Sequence, residues 1–161
     1  MAFQRFVPLR VLSSYSLLDG AIEPKALAKL ARERGFPAVA ITDNNGLYAA
    51  MAFAGAALEA GIQPLIGTTL AVQREPQGPL DWLVLFATNE TGWNNLCHLV
   101  SAAHLDRPAE LDPHVGLNAL ERHTDGLIAL TAAGDGALVR DRKSTRLNSS
   151  HHAISRMPSS A

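Results

Sequence analysis

The stretch Phe6-Val7-Pro8-Leu9-Arg10-Val11-Leu12-Ser13-Ser14-Tyr15-Ser16-Leu17-Leu18-Asp19-Gly20-Ala21 decides how the rest of the chain is read. Val7 to Leu12 is an apolar run that predicts a strand. A serine-rich turn follows it and passes through Asp19-Gly20 into a helical pattern. Pro24 suits the first turn of that helix, and Leu27, Leu30 and Ala31 give it an apolar stripe. Arg32 and Arg34 favour its C-terminus, and Gly35 closes it as a left-handed cap. Pro37 to Ile41 is short, apolar and unbroken, which predicts a buried parallel strand.

The same alternation continues downstream. Asp43 to Gly46 is a turn cluster, and an alanine-rich helix is expected from Leu47 to Ala60. Leu65 to Val72 and Trp82 to Ala87 read as strands. Their short polar connection, Arg74 to Pro79, makes that pair antiparallel. Thr91 is placed to cap the next helix, with Trp93, Leu96, Leu99 and Val100 on one face. Leu105 to Pro113 reads as loop, Leu117 to Arg122 as a short helix and Leu127 to Thr131 as a strand. Strands alternating with helices imply an α/β fold.

At 161 residues, 47% apolar and 18% charged, the chain has the size and balance of a single globular domain. It contains no run of about 18 apolar residues. Met1 to Arg5 lacks the apolar core of a signal peptide. The lone Cys97 excludes an intrachain disulfide and fits a reducing cytoplasm. As a helical cysteine it reads as a small core residue.

Asp141 to Ala161 breaks with the rest. Its serine-rich, basic composition lacks the apolar periodicity of a core and reads as disordered. Asp141 to His151 and Ser155 to Ala161 also match the translation of the two parts of a common sequencing-library adapter, with His152 to Ile154 as the index between them. On that reading residues 141–161 are non-native, and the authentic chain stops near Arg140, inside a domain. His151 and His152 then do not count as metal ligands. The segment holds four cations against Asp141, so the net charge of −1 divides into +3 there and −4 over residues 1–140. An acidic segment has no electrostatic footprint for nucleic acid.

The opening stretch resembles the start of the polymerase-and-histidinol-phosphatase (PHP) domain found at the N-terminus of bacterial DNA polymerase III alpha subunits. Four later passages carry the likeness in order: Lys29 to Asp43, Ala60 to Gly67, Leu85 to Leu96 and Gly126 to Thr131. The resemblance implies a distorted β/α barrel of mostly parallel strands with flanking helices, of which residues 1–140 form a part. It also implies strand ends converging on a polynuclear metal site that hydrolyses phosphate esters with metal-activated water.

The ligand positions are vacated in this chain. Arg10 and Leu12 stand where the family carries a His pair, and Asn44 where a His follows Thr-Asp. Thr69 replaces a Glu and Trp82 a His, which leaves Asp43 as the retained polar candidate. Arg10 would repel a metal, so Asp43 is expected to partner Arg10 or cap a turn. No catalytic, metal or cofactor residue is therefore assigned. His98, His104, His114 and His123 read as surface histidines, and Ser13, Ser14 and Ser16 as turn residues without a base.

The expected function is the N-terminal fragment of a replicative DNA-directed DNA polymerase, its PHP domain degenerate and serving as a structural or interaction module. By resemblance, the full protein transfers nucleotides in a later domain with Mg²⁺. It would bind primer-template DNA, a sliding clamp and a proofreading exonuclease subunit in the cytoplasm. The fragment alone would be inactive. Two alternatives are an active metal-dependent PHP phosphoesterase or exonuclease, and the error-prone paralogue of the polymerase.

Overall fold

A computed structural model describes residues 6–132 and Gly136. The expectations about Asp141 to Ala161 lie outside those residues.

Among the described residues, four helices and five strands follow in chain order. They are α1 (Pro24–Glu33), β1 (Ala38–Ile41), α2 (Ala50–Glu59), β2 (Gln63–Gln73), β3 (Leu80–Ala87), α3 (Glu90–Leu105), β4 (Val115–Gly116), α4 (Leu117–Arg122) and β5 (Leu127–Thr131). Pro24 opens α1, and Gly35 takes φ 73° just beyond it, the left-handed conformation that ends a helix at little cost to glycine. Asn89, not Thr91, caps α3: its side chain accepts from the Gly92 N–H at 2.8 Å. Thr91 lies one residue inside the helix, past the cap position. Leu96 and Leu99 face the core, whereas Trp93 is exposed and Val100 half-buried.

β2 is the spine of the sheet. Along one edge it pairs in parallel with β1 over Gln63 to Ile66 and with β4 at Val72 and Gln73. Along the other it pairs antiparallel with β3, which in turn pairs antiparallel with β5. The sheet is therefore mixed and open, in the order β1-β2-β3-β5, and the expectation of a mostly parallel barrel is corrected. The six-residue connection Arg74 to Pro79 leaves no room for a crossover helix, so β3 must return antiparallel, and β5 follows suit. The expected first strand, Val7 to Leu12, is not a strand either. It lies along β1 and accepts two bonds, from Ala40 N–H to Pro8 O and from Thr42 N–H to Val11 O. Pro8 has no N–H with which to extend a ladder.

Two cores flank this spine. In one, Leu27, Ala28 and Ala31 of α1 and Phe53 and Ala57 of α2 cover Val39 and Ile41 of β1. In the other, Leu96, Leu99 and Ala103 of α3 cover Leu70, Val72 and Leu85. Because strand side chains alternate, Thr69, Trp82, Val84, Phe86, Ile128 and Leu130 point to the sheet face away from α3. That face includes two of the positions singled out in the sequence, Thr69 and Trp82. Among the described residues, no helix is long and apolar enough to cross a membrane.

Candidate functional site

Asp43 ends the β1 passage and is 2% exposed. Its carboxylate is the hub of the opening stretch. Oδ1 accepts from the Ser13 backbone N–H at 2.7 Å and from the Ser16 hydroxyl at 2.9 Å, and Oδ2 accepts from the Ser13 hydroxyl at 2.9 Å. Both serines pass the bonding on: Ser13 Oγ accepts from the Tyr15 N–H, and Ser16 Oγ from the Asn44 N–H. The backbone of Asp43 is also engaged, its carbonyl accepting from the Thr68 hydroxyl at 2.8 Å and from the Thr69 N–H at 3.1 Å. One buried acid thus welds the loop 13–20 to the end of β1 and the middle of β2.

The other singled-out positions fall around this hub in two groups. Asn44 bridges to Thr69, and its side-chain amide donates to Asp19 Oδ2 at 2.7 Å. Thr69, fully buried, donates its hydroxyl to the Thr42 carbonyl at 2.9 Å. Arg10 is exposed, and its Nη1 donates at 3.3 Å to the carbonyl of Ala132, just past β5. Of the two expectations for Asp43, the structure shows the turn cap: its carboxylate accepts from the loop that holds Ser13 and Ser16, while Arg10 reaches the Ala132 carbonyl instead. Leu12 is half-buried beside the hub, while Trp82 sits farther along the face turned from α3, opposite Ala71. Away from both, at the start of β2 and the end of β3, a groove of about 650 Å³ is lined by Leu9, Pro64, Ile66, Phe86, Ile128 and Leu130.

Sequence reasoning missed the partnership of Ser13 and Ser16 with Asp43, which lies some thirty residues away in the chain. The one available signal was two serines at a spacing of three beside a strand end. Asn45 was missed as well. It adopts φ 48°, and its side chain accepts from the Ala71 N–H and donates to the Pro113 carbonyl, with both distances under 3.0 Å. His104 Nε2 donates to the Asn45 carbonyl at 2.8 Å, which ties the end of α3 to the same turn. His98 and His104 are exposed, and His114 and His123 are half-buried. Cys97 is only partly buried, and that burial pushes its thiol pKa up, away from a reactive thiolate. Among the described residues, no three His, Cys, Asp or Glu side chains gather where they could hold a metal ion.

The chain is 40% identical over 139 residues to the DNA polymerase III subunit alpha of Caulobacter vibrioides, covering 83% of this chain and 12% of that protein. It is 37% identical over 148 residues to the error-prone DNA polymerase of Symbiobacterium thermophilum, covering 83% of this chain and 13% of that one. The chain thus spans about an eighth of the length of these curated relatives. A solved amidohydrolase from Chromobacterium violaceum superposes with a TM-score of 0.49 at 21% identity, over 61% of this chain and 33% of that one. The PHP domain pattern matches residues 8–155, nearly the whole sequence, and the chain belongs to the PHP domain family.

Proposed function

We propose that this PHP domain is the N-terminal region of a replicative DNA polymerase alpha subunit and serves there as a scaffold, not as a metal-dependent hydrolase. One observation carries the reading: the Asp43 carboxylate spends both oxygens on Ser13 and Ser16. A polynuclear centre needs several histidine and carboxylate donors with lone pairs directed at the ions. Arg10, Leu12, Asn44, Thr69 and Trp82 supply no such donor set. These residues do not fit a metal cluster, and no hydrolytic step runs through one here.

What the residues do instead is mechanical. The hydroxyls of Ser13 and Ser16 hold Asp43, and Asp43 fixes the loop 13–20 against β1 and β2 as a preformed surface. Nucleotide transfer with Mg²⁺, together with the binding of primer-template DNA and a sliding clamp, belongs in this reading to the remainder of a longer cytoplasmic protein. The domain supports that remainder and offers a contact for a proofreading exonuclease subunit. The replicative form is favoured over the error-prone one because the latter more often keeps the metal ligands.

Hydrolysis of a chromogenic phosphate ester in the presence of Mn²⁺ or Zn²⁺ tests the reading. The expected rate equals that of metal alone and is the same for Asp43→Asn. Metal-dependent turnover that disappears in Asp43→Asn would overturn it.

A further inference from the structure

We propose that His98 and His123 form a binding site for a single borderline divalent cation, of the class of Zn²⁺, Ni²⁺ or Cu²⁺, on the outer side of α3. This site is separate from the Asp43 hub and does not depend on the scaffold reading. The two imidazole centroids lie 5.3 Å apart with their planes at 21°. The rings are stacked in this arrangement. Two imidazoles on one tetrahedral ion have centres about 5 Å apart, so the separation already suits a shared ion. Binding requires the exposed His98 ring to turn out of the stack until its lone pair converges with that of His123.

The surroundings prepare one ring for ligation. The Asn95 side chain donates through Nδ2 to the Asp125 carbonyl at 2.9 Å, which fixes its amide and turns Oδ1 towards His123 Nδ1, 3.1 Å away. His123 therefore carries its proton on Nδ1 and leaves the Nε2 lone pair for a metal. An outer hydrogen bond of this kind typically orients a ligating histidine. His98 is exposed and makes no hydrogen bond among the described residues, so its ring can turn to direct a nitrogen at the same ion. No third His, Cys, Asp or Glu joins them among the described residues, and water completes the shell.

The pair also sits on rigid elements. Asn89, Gly92, Asn95 and His98 recur every three residues along α3 and face the turn 123–126. Thr88 donates twice to the Gly126 carbonyl, through its N–H at 2.9 Å and its hydroxyl at 2.8 Å. Gly92 packs so closely that a Cβ there would meet Gly126 O at 1.9 Å. A bound ion would close the open end of this zipper and cross-link α3 to the turn that feeds β5.

Calorimetric titration of the full chain with ZnCl₂ and with NiCl₂ near neutral pH tests the site. One ion per chain is expected, accompanied by shifts in the His98 and His123 imidazole NMR signals and a rise in the thermal midpoint. His98→Ala and His123→Ala should each abolish this phase, and Asn95→Ala should weaken it by about tenfold through loss of the orienting bond. His98 is exposed, so circular dichroism of His98→Ala should match the parent and separate lost binding from lost folding. The proposal is overturned if the chain binds neither ion up to millimolar concentration, or if binding survives in the His98→Ala/His123→Ala double variant.

Discussion

Asp43→Ala is expected to remove most of the stability of the folded chain, whereas Asp43→Asn should remove much less. Alanine leaves the Ser13 N–H and the Ser13 and Ser16 hydroxyls facing a void at a site where Ser13 is fully buried and Ser16 nearly so. Each buried donor left unpaired costs about 1–3 kcal/mol, so the three together remove a large share of the 5–15 kcal/mol typical of a domain. Asparagine keeps Oδ1 for the Ser13 N–H and the Ser16 hydroxyl, and its Nδ2 can donate to Ser13 Oγ with that hydroxyl reversed. Urea unfolding followed by circular dichroism measures both variants. A scaffold role requires the order wild type, then Asn, then Ala. If alanine cost no more than asparagine, the hub would carry no structural load.

Phe53→Ala should destabilise by about 3–5 kcal/mol, the range for emptying a buried aromatic position. Among the buried residues of α2, Ala50, Phe53 and Ala57, only Phe53 is large. It is fully enclosed between Leu27, Ala28 and Ala31 of α1 and Val39 and Ile41 of β1. Small alanines let the helix approach closely, but they cannot fill the space that Phe53 vacates. Met51, two residues away on the same helix, is 84% exposed, and Met51→Ala should shift stability by no more than about 0.5 kcal/mol. Equal losses for the two variants in the same urea experiment would show that α2 does not pack as described.

The contrast between these residues marks where the sequence was legible. α4 and β5 occupy the residues their patterns indicate, and α1 begins at Pro24 and stops just short of Gly35 because those signals are local. The antiparallel return of β3 was legible too, since a short connection permits no other geometry. The hub was not. Ser13 and Ser16 carry ordinary turn signals, and the carboxylate they serve enters the fold only after a helix and a strand have passed. Charge makes Arg10 one of two expected partners for Asp43, the other being a turn; the fold brings the turn to the carboxylate and carries Arg10 to Ala132 past β5. The sheet pattern failed for a related reason: the direction of β5 depends on β3, and nothing within Leu127 to Thr131 encodes it.

The proposed scaffold role stands or falls on whether the hydrogen-bonded brace around Asp43 takes the place of a metal centre. Elemental analysis of the His98→Ala/His123→Ala chain, equilibrated with Mn²⁺, Zn²⁺ and Fe²⁺ and then desalted, tests that claim most directly because it removes the surface site from the count. The brace requires less than one ion per chain, unchanged by Asp43→Asn. Two or more tightly held ions per chain, lost on Asp43→Asn, would contradict it.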